Sequence, residues 1–200
     1  VTNAYVIKNQ SQNRSWNVSG ALTRTMTNGL WIKGGFNYGV SRSIVEPSST
    51  AGSSWGSANP IVADPNNPAL AYSTNSPGKR VFLQASYSRQ YFGFGATTIS
   101  SFFEAKPSYP NFSSTASYVF SGDMNGDGAA GNDLIYIPRD QSEMNFKPLT
   151  VSGKTFTAAD QAAAFEAYIQ QDSYLSTHRG QYAERGGLYN PIVGRVDLSI

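Results

Sequence analysis

Asn28-Gly29-Leu30-Trp31-Ile32-Lys33-Gly34-Gly35-Phe36-Asn37-Tyr38-Gly39-Val40-Ser41 decides the fold class. Leu30, Ile32, Gly34, Phe36, Tyr38 and Val40 fall on one parity, and Lys33, Gly35, Asn37, Gly39 and Ser41 on the other. A period of two is the signature of a strand with one apolar face, because successive side chains leave a pleated backbone on opposite sides. Trp31, beside the turn, is the one break in the pattern, and an aromatic at a strand end suits an interfacial girdle. Asn-Gly ahead of the strand supplies the positive φ values that a tight hairpin turn needs.

Backward from that turn, Trp16, Val18, Gly20 and Leu22 alternate with Ser15, Asn17, Ser19, Ala21 and Thr23. The chain therefore opens with a hairpin of strands over about 14–26 and 30–44. Forward, residues 45–78 are rich in Pro, Ser, Asn and Ala, carry no sustained period, and read as a loop. Alternation resumes over about 79–90 with Val81, Leu83, Ala85 and Tyr87 against Gln84, Ser86 and Ser88. Tyr91-Phe92-Gly93-Phe94 makes a second short turn into a strand at about 95–106, less clean because Phe102 and Phe103 take opposite faces. A second long excursion, 107–192, precedes a last strand at about 193–200, where Val196, Leu198 and Ile200 alternate with Arg195, Asp197 and Ser199.

Composition narrows the class. Charged residues make up 14% of the 200, well under the roughly 25% of soluble domains, yet the mean hydropathy is only −0.35. Gly, Ser, Thr, Asn and aromatics fill the gap, as expected where strands turn one residue to lipid and the next to a polar lumen. No window approaches 18 consecutive apolar residues, which excludes a transmembrane helix. The net charge of +2 comes from scattered residues, leaving no electrostatic footprint for nucleic acid. With no Cys there are neither disulfides nor thiolate sites. Val1-Thr2-Asn3-Ala4 lacks the basic start and apolar run of an export signal, so an exported protein is expected to begin upstream.

Connections that run short, long, short, long between strands able to cross a bilayer on a tilt lead to one expectation. The chain reads as all-β, a partial antiparallel transmembrane β-barrel segment of about five to six strands, residues 1–200 forming a fragment of a single barrel domain. Tight turns then lie on the periplasmic side, and residues 45–78 and 107–192 form long extracellular loops. A soluble β-sandwich with two large loops meets the same parity, although loops this long are uncommon in compact soluble domains. Within the second loop, Thr157-Ala158-Ala159-Asp160 resembles a helix start. Ala162, Phe165, Tyr168 and Ile169 follow at helical spacing, which predicts a short helix over about 158–171 with one modest apolar stripe.

The most specific local pattern is Asp123-Met124-Asn125-Gly126-Asp127-Gly128, followed by Asn132-Asp133. Oxygen ligands at alternate positions with a glycine at the sixth open a calcium loop, because the backbone must curl to aim three side chains at one hard cation. The twelfth position is Leu134 rather than the usual bidentate Glu, so Asp133 would close a variant loop and the Ala129 carbonyl would serve at the seventh. A metal-free turn held by its own Asx side chains fits the same residues. The expected metal set is Asp123, Asn125, Asp127, Ala129 and Asp133, with calcium the cofactor it would take.

Other chemistry finds little footing, and no catalytic residue is nominated. Gly52-Ser53-Ser54-Trp55-Gly56 matches the G-x-S-x-G nucleophile elbow in letters, but both flanks are polar loop where the elbow needs a buried strand and a helix. His178 is the sole histidine, and beside Arg179 it reads as a surface hydrogen-bonder. No catalytic-zinc spacing and no phosphate-binding glycine loop occurs.

Three stretches together carry a family resemblance: Phe120 to Gly128, Asn132-Asp133-Leu134-Ile135-Tyr136-Ile137-Pro138, and Arg179-Gly180-Gln181-Tyr182-Ala183-Glu184-Arg185 leading to Pro191 and Arg195 to Ser199. In this order they resemble the late barrel region of Oar-like TonB-dependent receptors over about residues 80–200. The resemblance implies a bacterial outer-membrane location and a barrel of about 22 strands around an N-terminal plug. It also implies partners: outer-membrane lipid, the TonB complex through the plug region, and an extracellular ligand to be imported. Five strands cannot close, and an open edge in lipid leaves backbone groups unpaired, so further strands are expected on both sides. Trp55, Tyr72, Tyr109, Tyr118 and Tyr174 are loop aromatics suited to stacking on a sugar, a siderophore or a peptide alike, or to packing the loops together. A secreted soluble β-rich binding or adhesion module stabilised by calcium is the alternative function.

Overall fold

The structure is a computed structural model that describes residues 6, 8–56, 58–108 and 113–200. It is mostly β, with all strand pairs of its main sheet antiparallel. Two compact units divide it. One, the sheet body, takes 9–44, 70–116 and 189–200; the other, the loop body, is built chiefly from 45–69 and 117–188.

The sheet body holds five long strands: β1 (Arg14–Thr25), β2 (Leu30–Ser43), β3 (Gly78–Tyr91), β4 (Gly95–Pro107) and β5 (Ile192–Ser199). They lie in the order β1-β2-β3-β4-β5, and the short pair Ala71–Tyr72 adds to β2 as a sixth member. Each boundary falls within a residue or two of the parity reading. Register places Val18 opposite Tyr38, Gly20 opposite Phe36 and Leu22 opposite Gly34. It continues Phe36 to Val81 and Gly34 to Leu83, then Leu83 to Phe103 and Tyr87 to Ile99, then Phe103 to Val196. One apolar surface thus runs unbroken across five strands. Phe102 turns to the other face and stacks on Phe82 at 6.5 Å, which accounts for the adjacent phenylalanines.

At the β1–β2 turn, Asn28 Oδ1 accepts from the Leu30 N–H at 3.2 Å while Gly29 sits at φ +88°. A Cβ there would also stand 2.3 Å from the Ser88 carbonyl oxygen, so only glycine serves both the conformation and the approach of β3. Trp31 follows the turn on the polar parity, opposite Ser86, away from the face that carries Trp16.

The two long excursions differ from the loops that the sequence suggests. Their missing periodicity hides a folded body with its own core of Leu134, Ile137, Ile169, Leu175 and Ala183, against which Tyr118, Ile135, Met144, Phe165 and Tyr174 pack. Helix α1 (Ala51–Trp55) is a single short turn; α2 (Ala158–Gln171) is the body's main helix. Thr157 and Asp160 form a reciprocal capping box at the start of α2, satisfying two otherwise idle donors. Ala162 and Ile169 are buried on its inner stripe. No helix among the described residues is long and apolar enough to cross a membrane.

Candidate functional site

The loop Asp123–Asp133 lies in the loop body and is shaped by its own side chains. Asp123 Oδ1 accepts from the Gly126 N–H at 2.7 Å and its Oδ2 from Gly128 N–H at 2.9 Å. Asn125 Oδ1 accepts from the Asp127 N–H, and Asp127 Oδ1 from the Ala129 N–H. Gly126, Gly128 and Gly131 all have positive φ, so the chain curls around these carboxylates as the DxNxDG spacing requires.

Two buried residues reach into that curl from its closing end. Asp133 is 0% exposed, and its Oδ2 accepts from the Met124 N–H at 2.6 Å. Asn132 is 1% exposed and donates from Nδ2 to the Gly56 carbonyl at 2.6 Å and to Asp127 Oδ2 at 3.2 Å. The second carboxylate oxygen of Asp133, Oδ1, and the amide oxygen of Asn132, Oδ1, meet no hydrogen-bond donor. Parallel bridging of Ile61 to Asp133 fixes the placement, with the Ile61 N–H donating to the Asn132 carbonyl and the Leu134 N–H to the Ile61 carbonyl.

Asp123, Asn125, Asp127 and Asp133 therefore meet through the hydrogen bonds of one loop, and Ala129 joins them through its N–H. Among the described residues no three His, Cys, Asp or Glu side chains close up into a ready cage. Asn132 is the residue that spacing alone overlooks: its role depends on Gly56, 76 residues earlier in the chain.

Within the loop body, the third motif stretch, up to Arg185, lies beside the second. Gln181–Tyr182 pairs antiparallel with Tyr136–Ile137, and the Ala183 N–H donates to the Ile135 carbonyl. Arg179 grips Glu166 of α2 with both guanidinium arms, at 2.6 and 3.1 Å, and also donates to the Pro138 and Arg139 carbonyls. The guanidinium holds the Glu166 carboxyl below its ordinary value, with help from Gln170. Arg185, 4% exposed, donates to Asn59 Oδ1 at 2.6 Å. Burial pushes its guanidinium below the usual value, and the charges of Glu46 and Glu184 counter part of that.

The loop aromatics separate. Tyr118 and Tyr174 lie 6.2 Å apart on the core, with the Tyr118 hydroxyl donating to Asp172 Oδ2 at 2.6 Å. Trp55 donates from Nε1 to Asn66 Oδ1, while Tyr72, in the sheet body, lies under Arg42 and edge-on to Tyr189. Tyr109 falls outside the described residues.

Ser54 stands on α1, where no strand enters, and its hydroxyl donates to the Thr50 carbonyl at 2.8 Å. His178 stacks on Tyr174 at 4.1 Å and engages its carbonyl through Nδ1. The strand-turn-helix geometry of a nucleophile elbow is not what forms there.

Compared with protein-family models, curated proteins and solved structures, the chain finds no match in any of the three.

Proposed function

We propose that this chain is a portion of an outer-membrane β-barrel belonging to a TonB-dependent receptor, which binds a ligand outside the cell and admits it. The observation that supports this most is the charge-free apolar band on one face of the sheet. Val18, Leu22, Phe36, Val81, Leu83, Ile99, Val196 and Leu198 share that face and are all more than 40% exposed. Charges on it stand only at the band's margins: Arg42 on β2 opposite Arg14, and the pairs Arg14 and Arg24 on β1 and Lys79 and Arg89 on β3.

Both pairs are ten residues apart, about 33 Å along a strand. A barrel tilt of about 35–45° shortens this to about 23–27 Å, which brackets the lipid-facing band of about 25 Å in such barrels. Exposed apolar surface of that extent would drive association in water. The opposite face carries Lys33, Asn37, Gln84 and the Arg80–Glu104–Lys106 ion-pair group, chemistry that suits a wet lumen. The receptor type rests on the three motif stretches, which resemble those of Oar-like TonB-dependent receptors. The loop body then belongs to the extracellular side, where ligand capture would occur.

The absence of Cys from this chain makes a direct test simple. In the full-length protein in its native outer membrane, single cysteines at Leu83 and Gln84 are expected to split: the first reacts with a lipid-soluble maleimide alone, the second with a water-soluble one. Equal labelling of both by the water-soluble reagent, with recovery from the periplasm or medium, would overturn the membrane reading and favour a secreted β-rich module.

A further inference from the structure

We propose that the Asp123–Asp133 loop is a calcium site closed by Asn132 and Asp133 rather than by a twelfth-position glutamate. Spacing alone does not carry this, since Asx turns satisfy the loop's backbone without metal. The independent observation is the pair of idle oxygens at the closing end. Asp133 Oδ1 and Asn132 Oδ1 belong to side chains 0% and 1% exposed, and neither has a donor.

Both side chains are anchored on the loop, Asp133 by Oδ2 accepting from the Met124 N–H and Asn132 by Nδ2 donating to Asp127 Oδ2. A buried acceptor without a partner is costly, and a carboxylate oxygen more so. Among the described residues no cationic side chain pairs with Asp133, Asp127 or Asp123. Three carboxylates on one loop thus lack a counter-charge. A hard dication taking 6–8 oxygens meets that need.

Asp123, Asn125 and Asp127 would coordinate from the DxNxDG turn and the Ala129 carbonyl from the seventh position, with Asn132 and Asp133 completing the set. Asp127 Oδ2 now faces the amides of Asn125 and Asn132, each at 3.2 Å. Calcium would replace those two weak contacts, drawing the Asn125 amide oxygen and the idle Asn132 oxygen toward itself. Because Asn132 also donates to Gly56, and Ile61 bridges Asp133, the cation would clamp Gly56 and Ile61 against 132–134. The loop would take up calcium whether the sheet meets lipid or water.

The test is calorimetric titration of calcium chloride into the full-length protein, purified in detergent and stripped with chelator. Saturable binding is expected with a Kd of about 10⁻⁴–10⁻³ M, the range of extracellular calcium modules. Asp133→Asn and Asp127→Asn should each remove one equivalent of sites or weaken it about tenfold or more, while Asp64→Asn, in another turn of the same body, changes nothing. Hydrogen exchange on the unmutated protein guards against misfolded variants: calcium should slow exchange at the Ile61 and Leu134 amides. Isotherms indistinguishable between the native protein and Asp133→Asn, or unaltered exchange at Ile61 and Leu134 in about 10 mM calcium, well above that Kd range, would overturn the site.

Discussion

In the loop body the large apolar side chains point inward, and Ile137, Ile169 and Leu175 are each 0% exposed. In the sheet body, Leu22 is 84% and Leu198 75% exposed, and the partners across the strands share that surface. The two bodies have similar residue types but sort them by different rules. A segment without period, such as 117–156, folds around a core because its apolar residues have somewhere dry to go. The alternating sheet does not, because its five long strands form a single layer. Under the proposed barrel reading, the contrast is between a body built for water and a sheet with one face turned to lipid.

The largest effect that sharpens the contrast is expected from Leu175→Ala. Leu175 is buried in the loop-body core with Ile169 and Leu134, so truncation should cost about 2–5 kcal/mol there. Hydrogen exchange across α2 should accelerate accordingly, while amides of β2 and β3 keep their protection. Loss of protection in both bodies together would mean that they fold as one cooperative unit and would break the comparison.

Next in size is a pair of neighbours on β3. Leu83 and Gln84 sit midway between Lys79 and Arg89, on opposite faces. Leu83→Arg is expected to destabilise insertion by about 2–4 kcal/mol if that face meets the bilayer midplane, and Gln84→Arg to lie within about 1 kcal/mol of the native value. Folding titrations into lipid vesicles measure both. Similar costs at the two positions would remove the distinction between faces.

These contrasts also mark what could be read from residues alone. Period-two alternation is a local property, so β1 to β5 were legible to within a residue or two, as was α2 from its capping box and its apolar spacing. The DxNxDG turn was legible for the same reason, since the side chains that shape it are neighbours in sequence. What parity cannot show is pairing at a distance. Asn59 meets Arg185 across 126 residues, and Asn132 meets Gly56 across 76, so the long excursions looked like open loops. Trp31 shows parity and register agreeing: both place it with Lys33, off the face that carries Leu30 and Ile32.

The smallest expected effect concerns Asp172, which ends α2 and starts the turn that follows it. Burial by itself would raise its carboxyl, but the Tyr118 hydroxyl and the Leu175 and Tyr174 N–H groups outweigh that and hold it below the ordinary 3.8. The same hydrogen bond pushes the Tyr118 phenol up, with burial as the larger cause, so both partners favour ionised Asp and neutral Tyr. A folded-state value below the unfolded one means that the stabilisation is fully present above pH 3.8 and is lost as pH falls through the depressed value. The loop body should therefore weaken as pH falls below 3.8, read as faster exchange at the Leu175 and Tyr174 amides. Asp172→Asn should cost about 1 kcal/mol near neutral pH, since one amide oxygen replaces two carboxylate acceptors, and should flatten the acid dependence of those amides. An equally steep acid dependence in that variant would shift the effect to Glu166, whose pairing with Arg179 depresses its carboxyl in the same direction.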